Sequence, residues 1–205
     1  MRQILLATRN QTKLLLLGPV LEQHGFEVLT LRDLREAGPD VEENGHTPLE
    51  NARAKARRYH APAHPWVLGQ DAGLEVDALG GEPGVQVRRW GGRFPDDVDD
   101  RTWLAYLLGR MRGVPPERRT ARFIDARVLI APDGSEHEQV IHYPFRIAAE
   151  QIRPIPPGAP ISAVMVGPAD LIQFRAQEVV RQFEEWGVLV ELLRQFPTQG
   201  QDSSQ

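Results

Sequence analysis

Cysteine is absent from the 205 residues. That excludes a disulfide framework, a thiolate nucleophile and a cysteine-ligated zinc site. An excess of positive charge is missing too: the formal net charge is −4, so broad attachment to nucleic acid is not expected. No apolar run approaches the roughly 18 residues of a membrane-spanning helix, so no membrane partner is expected. Residues 1–30 lack a secretory signal pattern, because Arg2, Arg9 and Lys13 interrupt the apolar segments. A soluble, cytoplasmic protein is the expectation. The six histidines show no metal-ligand spacing. His60 and His64 are four apart, but Pro62 and Pro65 argue against a shared helical face. What is present, 41% hydrophobic and 25% charged residues, suits one globular α/β domain or two small lobes sharing a cleft, with a core that needs no staples.

Residues 3–8 read as a buried strand, 11–24 as a helix weakened by Gly18-Pro19, and 26–31 as a second strand. This βαβ opening predicts a parallel sheet. An acidic loop over 38–47 leads to Thr47 and Glu50, spaced as a capping box, and a helix follows to about Tyr59. Trp66 to Gly69 reads as a short strand ending at "GQDAG". Residues 79–92 are dense in glycine. A helix is expected over 96–112, stopped by Gly113. An antiparallel pair, 121–131 and 138–147, is expected around Pro132-Asp133-Gly134. A proline-rich connection at 153–160, a strand at 161–166 and a helix over 169–194 complete the chain, with a disordered tail beyond.

Three stretches carry chemistry. In Thr8-Arg9-Asn10 followed by Lys13, a buried strand ends in polar groups at a helix N-terminus, the arrangement of a phosphate cradle; solvated charges around a capped helix start are the plainer alternative. In "VEENGHTPLENARAKA", Glu42 and Glu43 precede a helix on which Asn51 and Lys55 share a face. Such carboxylates, an amide and a lysine could hold hydrated Mg²⁺ and phosphate together. In "GQDAGLEVDALGGEPG", Asp71 stands where the strand is expected to end, a place for a general base or metal ligand.

In this order and spacing the stretches resemble the inosine triphosphate pyrophosphatase-like family. Its T-x-N-x-x-K motif appears as Thr8-Arg9-Asn10-Gln11-Thr12-Lys13, and its E-x-G-x-T-x-x-E-N-A-x-x-K-A motif matches Glu43 to Ala56. Its D-D-S-G-L-x-V-D-A-L-G-G motif, with the P-G and arginine that follow, looks like Gln70 to Trp90, and Ala121-Arg122-Phe123 echoes its "ARF" strand. The resemblance implies an α/β, two-lobed fold over residues 1–195, with a central mixed sheet flanked by helices and a cleft between the lobes. It implies a homodimer that uses Mg²⁺ to cleave a nucleoside triphosphate into a monophosphate and pyrophosphate. By position, Thr8, Arg9, Asn10, Lys13, Asn51, Lys55, Ala72, Gly73 and Arg89 would bind substrate. Glu43 and Asp71 would hold the metal, and Asp71, Lys13 and Lys55 would carry the catalysis.

The chain also departs from the family's pattern. The aspartate pair is Gln70-Asp71, and the serine after it is Ala72. The family's G-F-G-Y-D-P falls on Gly158 to Ala163 without its aromatic, and its S-H-R-G falls on Glu184-Glu185-Trp186-Gly187. The expectation is a triphosphate-cleaving scaffold with a changed base pocket, in which acidic acceptors replace donors. The alternatives are a catalytically weakened or inactive homologue that binds a nucleotide or a partner protein, and a phosphatase for another phosphorylated metabolite. Arg88, Arg89 and Arg93 near Trp90 are expected at a lip of the cleft or a dimer contact.

Overall fold

The computed structural model describes residues 2–34, 41–166 and 171–197. Positions 38–40 of the acidic loop, 169–170 of the last helix, the tail from 198 and the Phe174 side chain lie outside the described residues.

The chain opens with β1 (Arg2–Leu6), α1 (Gln11–Gln23) and β2 (Phe26–Thr30), and β1 and β2 pair in parallel as the βαβ pattern requires. Ile4, Leu5 and Leu6 are all buried because helices cover both faces of the sheet. Ile4 and Leu6 join a core with Leu17 and Leu21 of α1. Leu5 faces the other way, toward Ala52 and Ala56 of α2 (Pro48–Tyr59). Helix α1 runs through Pro19 without a break. Pro19 and Leu15, the residue whose carbonyl loses its partner, are both exposed, so water can satisfy that carbonyl.

Strand β3 spans Val67–Val76 and is the spine of the sheet. It pairs in parallel with β1 only at Leu5↔Val67 and Leu6↔Leu68. On its other edge it runs antiparallel to β5 (Thr120–Ile130) over its whole length. β5 in turn pairs with β6 (Glu136–Ile147) in the expected hairpin. With β4 (Pro83–Gly84) and β7 (Met165–Val166), these strands form one seven-stranded mixed sheet ordered β2-β1-β3-β5-β6-β7, β4 lying on β3.

The segment expected as a strand over 161–166 is mostly a short 3-10 turn, Pro160–Ala163, and only Met165–Val166 pairs. Three prolines in 154–157 precede that turn, and its Ile161 and Ala163 sink into the far core. That core also holds Leu74 and Val76 of β3 with Trp103, Leu104 and Leu107 of α3 (Asp100–Arg110). The expected helix over 96–112 is trimmed at its start because Asp99 caps it, accepting from Thr102 N–H at 2.9 Å. The terminal helix divides at Gly187, which adopts φ 65°, into α4 (Leu171–Trp186) and α5 (Val188–Gln195). Among the described residues, no helix is long and apolar enough to cross a membrane.

Candidate active site

Two devices seat α2 beside the reactive strand. The first is Gly69. A Cβ there would lie 2.1 Å from the Ala52 carbonyl oxygen and 2.8 Å from Ala56 N, so only a bare α-carbon lets helix and strand approach this closely. The second is the helix start. Thr47 Oγ1 accepts from Glu50 N–H at 3.2 Å, and Glu50 Oε2 accepts from His46 N–H at 2.7 Å, a variant of the reciprocal cap that the sequence suggests. Gly45 N–H then donates to Asn51 Oδ1 at 2.8 Å. That bond fixes the Asn51 amide with its NH₂ toward β3.

The result is a dense polar knot around Asp71, which is 5% exposed. Lys55 Nζ donates to Asp71 Oδ1 at 2.7 Å and Asn51 Nδ2 donates to Oδ2 at 3.1 Å. Lys55 Nζ also pairs with Glu43 Oε1 at 2.6 Å. From the first turn of α1, Lys13 Nζ comes within 3.7 Å of Asp71 Oδ1 and donates to the Gln70 carbonyl at 3.1 Å. Thr8 Oγ1 accepts from Asn10 N–H at 3.1 Å, and Asn10 Oδ1 accepts from Lys13 N–H at 3.2 Å. The strand therefore gives way to a loop that caps α1 and aims Lys13 across the sheet.

These groups line one cleft of about 490 Å³. Thr8, Arg9, Asn10, Lys13, Glu43, Asn51, Lys55, Asp71, Ala72, Gly73 and Arg89 all face it, so every expected site residue meets in one place. Arg89 sits at the rim and pairs with Asp96 at 2.7 Å. The rim is held by the glycine-rich segment. Trp90 Nε1 donates to Glu82 at 3.0 Å and Trp103 Nε1 donates to the Val87 carbonyl at 2.9 Å, which anchors Val85–Arg89 to the far core.

The two lysines differ electrically. Burial lowers the pKa of Lys13, and the neighbouring Lys55 charge lowers it further. Burial also works against charge on Lys55, but Asp71 and Glu43 outweigh it and raise its pKa.

Several expectations need correction. Asp71 does not end its strand. The parallel partner β1 stops opposite Leu68, but antiparallel β5 carries β3 on to Val76. Asp71 thus marks the end of β1, not of β3. Gln70 is not a lost member of the same carboxylate set. Strand alternation turns it to the opposite face, where its amide Nε2 donates to Asp125. Glu42 is exposed and accepts from Asn44 at 2.9 Å.

The acceptor-lined base pocket is not built from Glu184 and Glu185. Both are exposed, and Glu185 pairs with Arg181 of its own helix. Val179, Phe183 and Trp186 form the apolar face of α4 that packs on the core, which turns 184 and 185 to water.

Sequence reasoning missed Tyr59 and Asp125. Tyr59 continues the Asn51–Lys55 face of α2 by one more turn. It lines the cleft with a buried hydroxyl that has no hydrogen-bond partner. Asp125 and Arg127 are opposite charges two apart in the largely buried half of β5, and they pair at 2.6 Å on one face of it. That alternation was the available signal. Among the described residues, no group of three or more His, Cys, Asp or Glu is placed to hold a metal.

Known proteins are similar to this chain over most of its length. The chain is 42% identical over 135 residues to a dITP/XTP pyrophosphatase of Symbiobacterium thermophilum, a match covering 66% of this chain and 64% of that protein. It is 42% identical over 154 residues to one of Mycolicibacterium paratuberculosis, covering 73% and 72%. Thus the chain spans about two thirds of the length of these curated relatives. A crystal structure of a nucleoside-triphosphatase, dITP/XTP pyrophosphatase, from Mycobacterium abscessus superposes with TM-score 0.66 at 33% identity, over 97% of this chain and 100% of that one. The fold is the α/β architecture of that structure. The model of the Ham1 family matches residues 4–143, a span that includes every cleft residue named above, and the chain belongs to the Ham1 family.

Proposed function

We propose that the protein hydrolyses a nucleoside triphosphate to the nucleoside monophosphate and pyrophosphate, with Asp71 as the residue that orients and deprotonates the attacking water. The observation that carries this reading is the convergence of the Thr8–Lys13 loop, Lys55 and Asp71 in one cleft. The relatives' names, which give dITP and XTP as substrates of those proteins, support it.

A polyphosphate needs concentrated positive charge and N–H donors. Lys13, Lys55, Arg9, Arg89 and the N-terminus of α1 supply them around the cleft. Asn51 and Lys55 occupy opposite oxygens of Asp71 and fix the carboxylate plane. In this reading, water attacks the α-phosphorus and Asp71 takes its proton. The bond to the bridging oxygen breaks, and pyrophosphate leaves against Lys13, Lys55 and Arg89. Phosphoryl transfer asks mainly for positioning and charge stabilisation, which these groups provide.

The residues present fit Mg²⁺. Glu43 and Asp71 converge on a single ammonium, at 2.6 and 2.7 Å. One or two carboxylates plus substrate phosphates is the usual Mg²⁺ donor set. When bound with the nucleotide, the ion would polarise the phosphoryl oxygens and neutralise developing charge. The same reading takes the protein as homodimeric, as the family resemblance implies, and as cytoplasmic.

The test is pyrophosphate release from a panel of canonical and deaminated nucleotides, with and without Mg²⁺, by the wild type and Asp71→Asn. Mg²⁺-dependent release that disappears in the variant is expected. Orthophosphate as the first product, or tight nucleotide binding without turnover, would overturn it.

A further inference from the structure

Helix α2 turns three polar side chains into the cleft. Asn51, Lys55 and Tyr59 follow one another at four-residue intervals and share one stripe of the helix. The Asn51 amide accepts from Gly45 and donates to Asp71, and Lys55 bridges Asp71 and Glu43. The Tyr59 hydroxyl is buried and has no hydrogen-bond partner among the described residues. A buried polar group left unpaired costs stability, so the free protein carries a defect that a ligand can relieve.

The ring is held in place. Tyr59 is 7% exposed and shares a core with Ala7, Leu31, Ala52 and Ala56. The Arg58 guanidinium lies 5.6 Å from its ring centroid. The hydroxyl therefore cannot swing out to water without opening that core. Aromatic side chains on a helix lean toward its N-terminus, so the phenol reaches back from Tyr59 toward the Lys55 turn. Beside it the cleft is lined by Ala7, Leu31 and Val41, whose side chains hold no hydrogen-bonding atom. The missing partner is one that enters the cleft.

An oxyanion supplies that partner, because a phosphate oxygen accepts and a hydroxyl donates. With the α-phosphorus at Asp71 and the next phosphate against Lys55, Tyr59 stands one further turn along α2, a rise of about 5.4 Å. We infer that Tyr59 is a specificity-determining residue: its O–H donates to an oxygen of the terminal phosphate of a bound nucleoside triphosphate, and a nucleoside diphosphate is too short to meet it. This rests on the triphosphate reading above and adds to it a residue that counts phosphates. A hydrogen bond from a neutral donor to a charged acceptor is stronger than one between neutral groups. The contact is made before and during bond breaking alike, so it strengthens binding rather than the chemical step.

The experiment measures the nucleoside monophosphate formed from dITP, which releases pyrophosphate, and from dIDP, which releases orthophosphate, each with one water consumed. Wild type is expected to favour dITP in kcat/KM. Tyr59→Phe is expected to lose roughly tenfold or more of that preference, chiefly through a higher KM for dITP. The same dITP-to-dIDP ratio in both proteins, or a loss confined to kcat, would overturn the inference. Thermal unfolding of the free protein is the second readout. Removing a hydroxyl that bonds nothing is expected to leave the melting temperature of Tyr59→Phe at or above that of the wild type. A clear drop would assign the hydroxyl to the fold and overturn the inference as well. Calorimetric binding of the two nucleotides to both proteins keeps the outcomes apart. If no nucleotide is turned over, the hydrolase reading fails, and the ratio of the two affinities decides the role of Tyr59 by itself.

Discussion

The two faces of strand β3 make the instructive comparison. Asp71 and Gln70 are adjacent in sequence, and a motif alignment treats them as one pair. In the folded protein they face opposite sides of the sheet. The Asp71 face is assembled by close backbone approach: Gly69 admits α2, and α2 delivers Asn51 and Lys55 to the carboxylate. The Gln70 face is assembled from side chains across β5, β6 and α4. There Arg127 also donates to Gln139 at 3.1 Å and to Gln182 at 3.3 Å, and its guanidinium lies 4.9 Å over the Phe183 ring. The difference teaches that a strand of period 2 can carry chemistry on one side and scaffolding on the other. Replacing one member of an apparent pair then need not weaken the function of its neighbour.

The sharpest way to break this comparison is at Asp71. Asp71→Asn keeps the shape and removes the proposed base, and is expected to lower kcat for pyrophosphate release by about 10²–10⁴-fold with little change in the melting temperature. A similar loss of rate from a change confined to the Gln70 face would erase the distinction.

The next largest effect belongs to the other face. Arg127 is fully buried, and Arg127→Leu would leave Asp125 as an uncompensated buried charge. A stability loss of about 3–5 kcal/mol is expected, read by denaturant titration. Gly69→Ala comes third. The added methyl meets α2 backbone rather than a flexible side-chain tip, so overpacking of about 1–3 kcal/mol is expected. It should come with a fall in kcat, because Lys55 and Asn51 move with the helix. Unchanged kinetics in a folded Gly69→Ala protein would show that helix seating does not control the knot.

The smallest effect is protonic. The pKa of free Lys13 lies below its ordinary value, mainly through burial. Bound polyphosphate favours the charged form and raises the pKa again. Nucleotide binding should therefore take up a proton in the window between the depressed pKa and the ordinary lysine value. Affinity should weaken as pH rises through that window. Lys55, whose pKa is raised, stays charged there and adds no slope. Calorimetry in buffers of different ionisation enthalpy measures the uptake, and Lys13→Met should abolish it.

Much of the cleft was legible in the sequence because its parts are local. Thr8 to Lys13 is a strand end and a helix start, and Asn51 and Lys55 share a face by helical spacing. The capping residues Thr47 and Glu50 sit within one turn of each other. The hairpin of β5 and β6 was legible for the same reason. What escaped depends on pairing across long separations. That β3 outruns β1 follows from its ladder with β5, which begins with Val67 opposite Ile130. The side to which Gln70 turns is undefined until that register is known. The burial of Pro160–Ala163 in the far core, and the turning of Glu184 and Glu185 to water, are likewise set by packing partners distant in the chain.

The paired lysines and carboxylates have a consequence for the cycle as a whole. With Lys55 bridging Glu43 and Asp71, and Lys13 close by, the resting protein already furnishes counterions for its own ammonium groups. An incoming anion must displace contacts that re-form when it departs. On the hydrolase reading, those internal rivals would hold down the affinity for the released pyrophosphate, so the architecture that recognises a highly charged reactant would also keep its highly charged product from lingering.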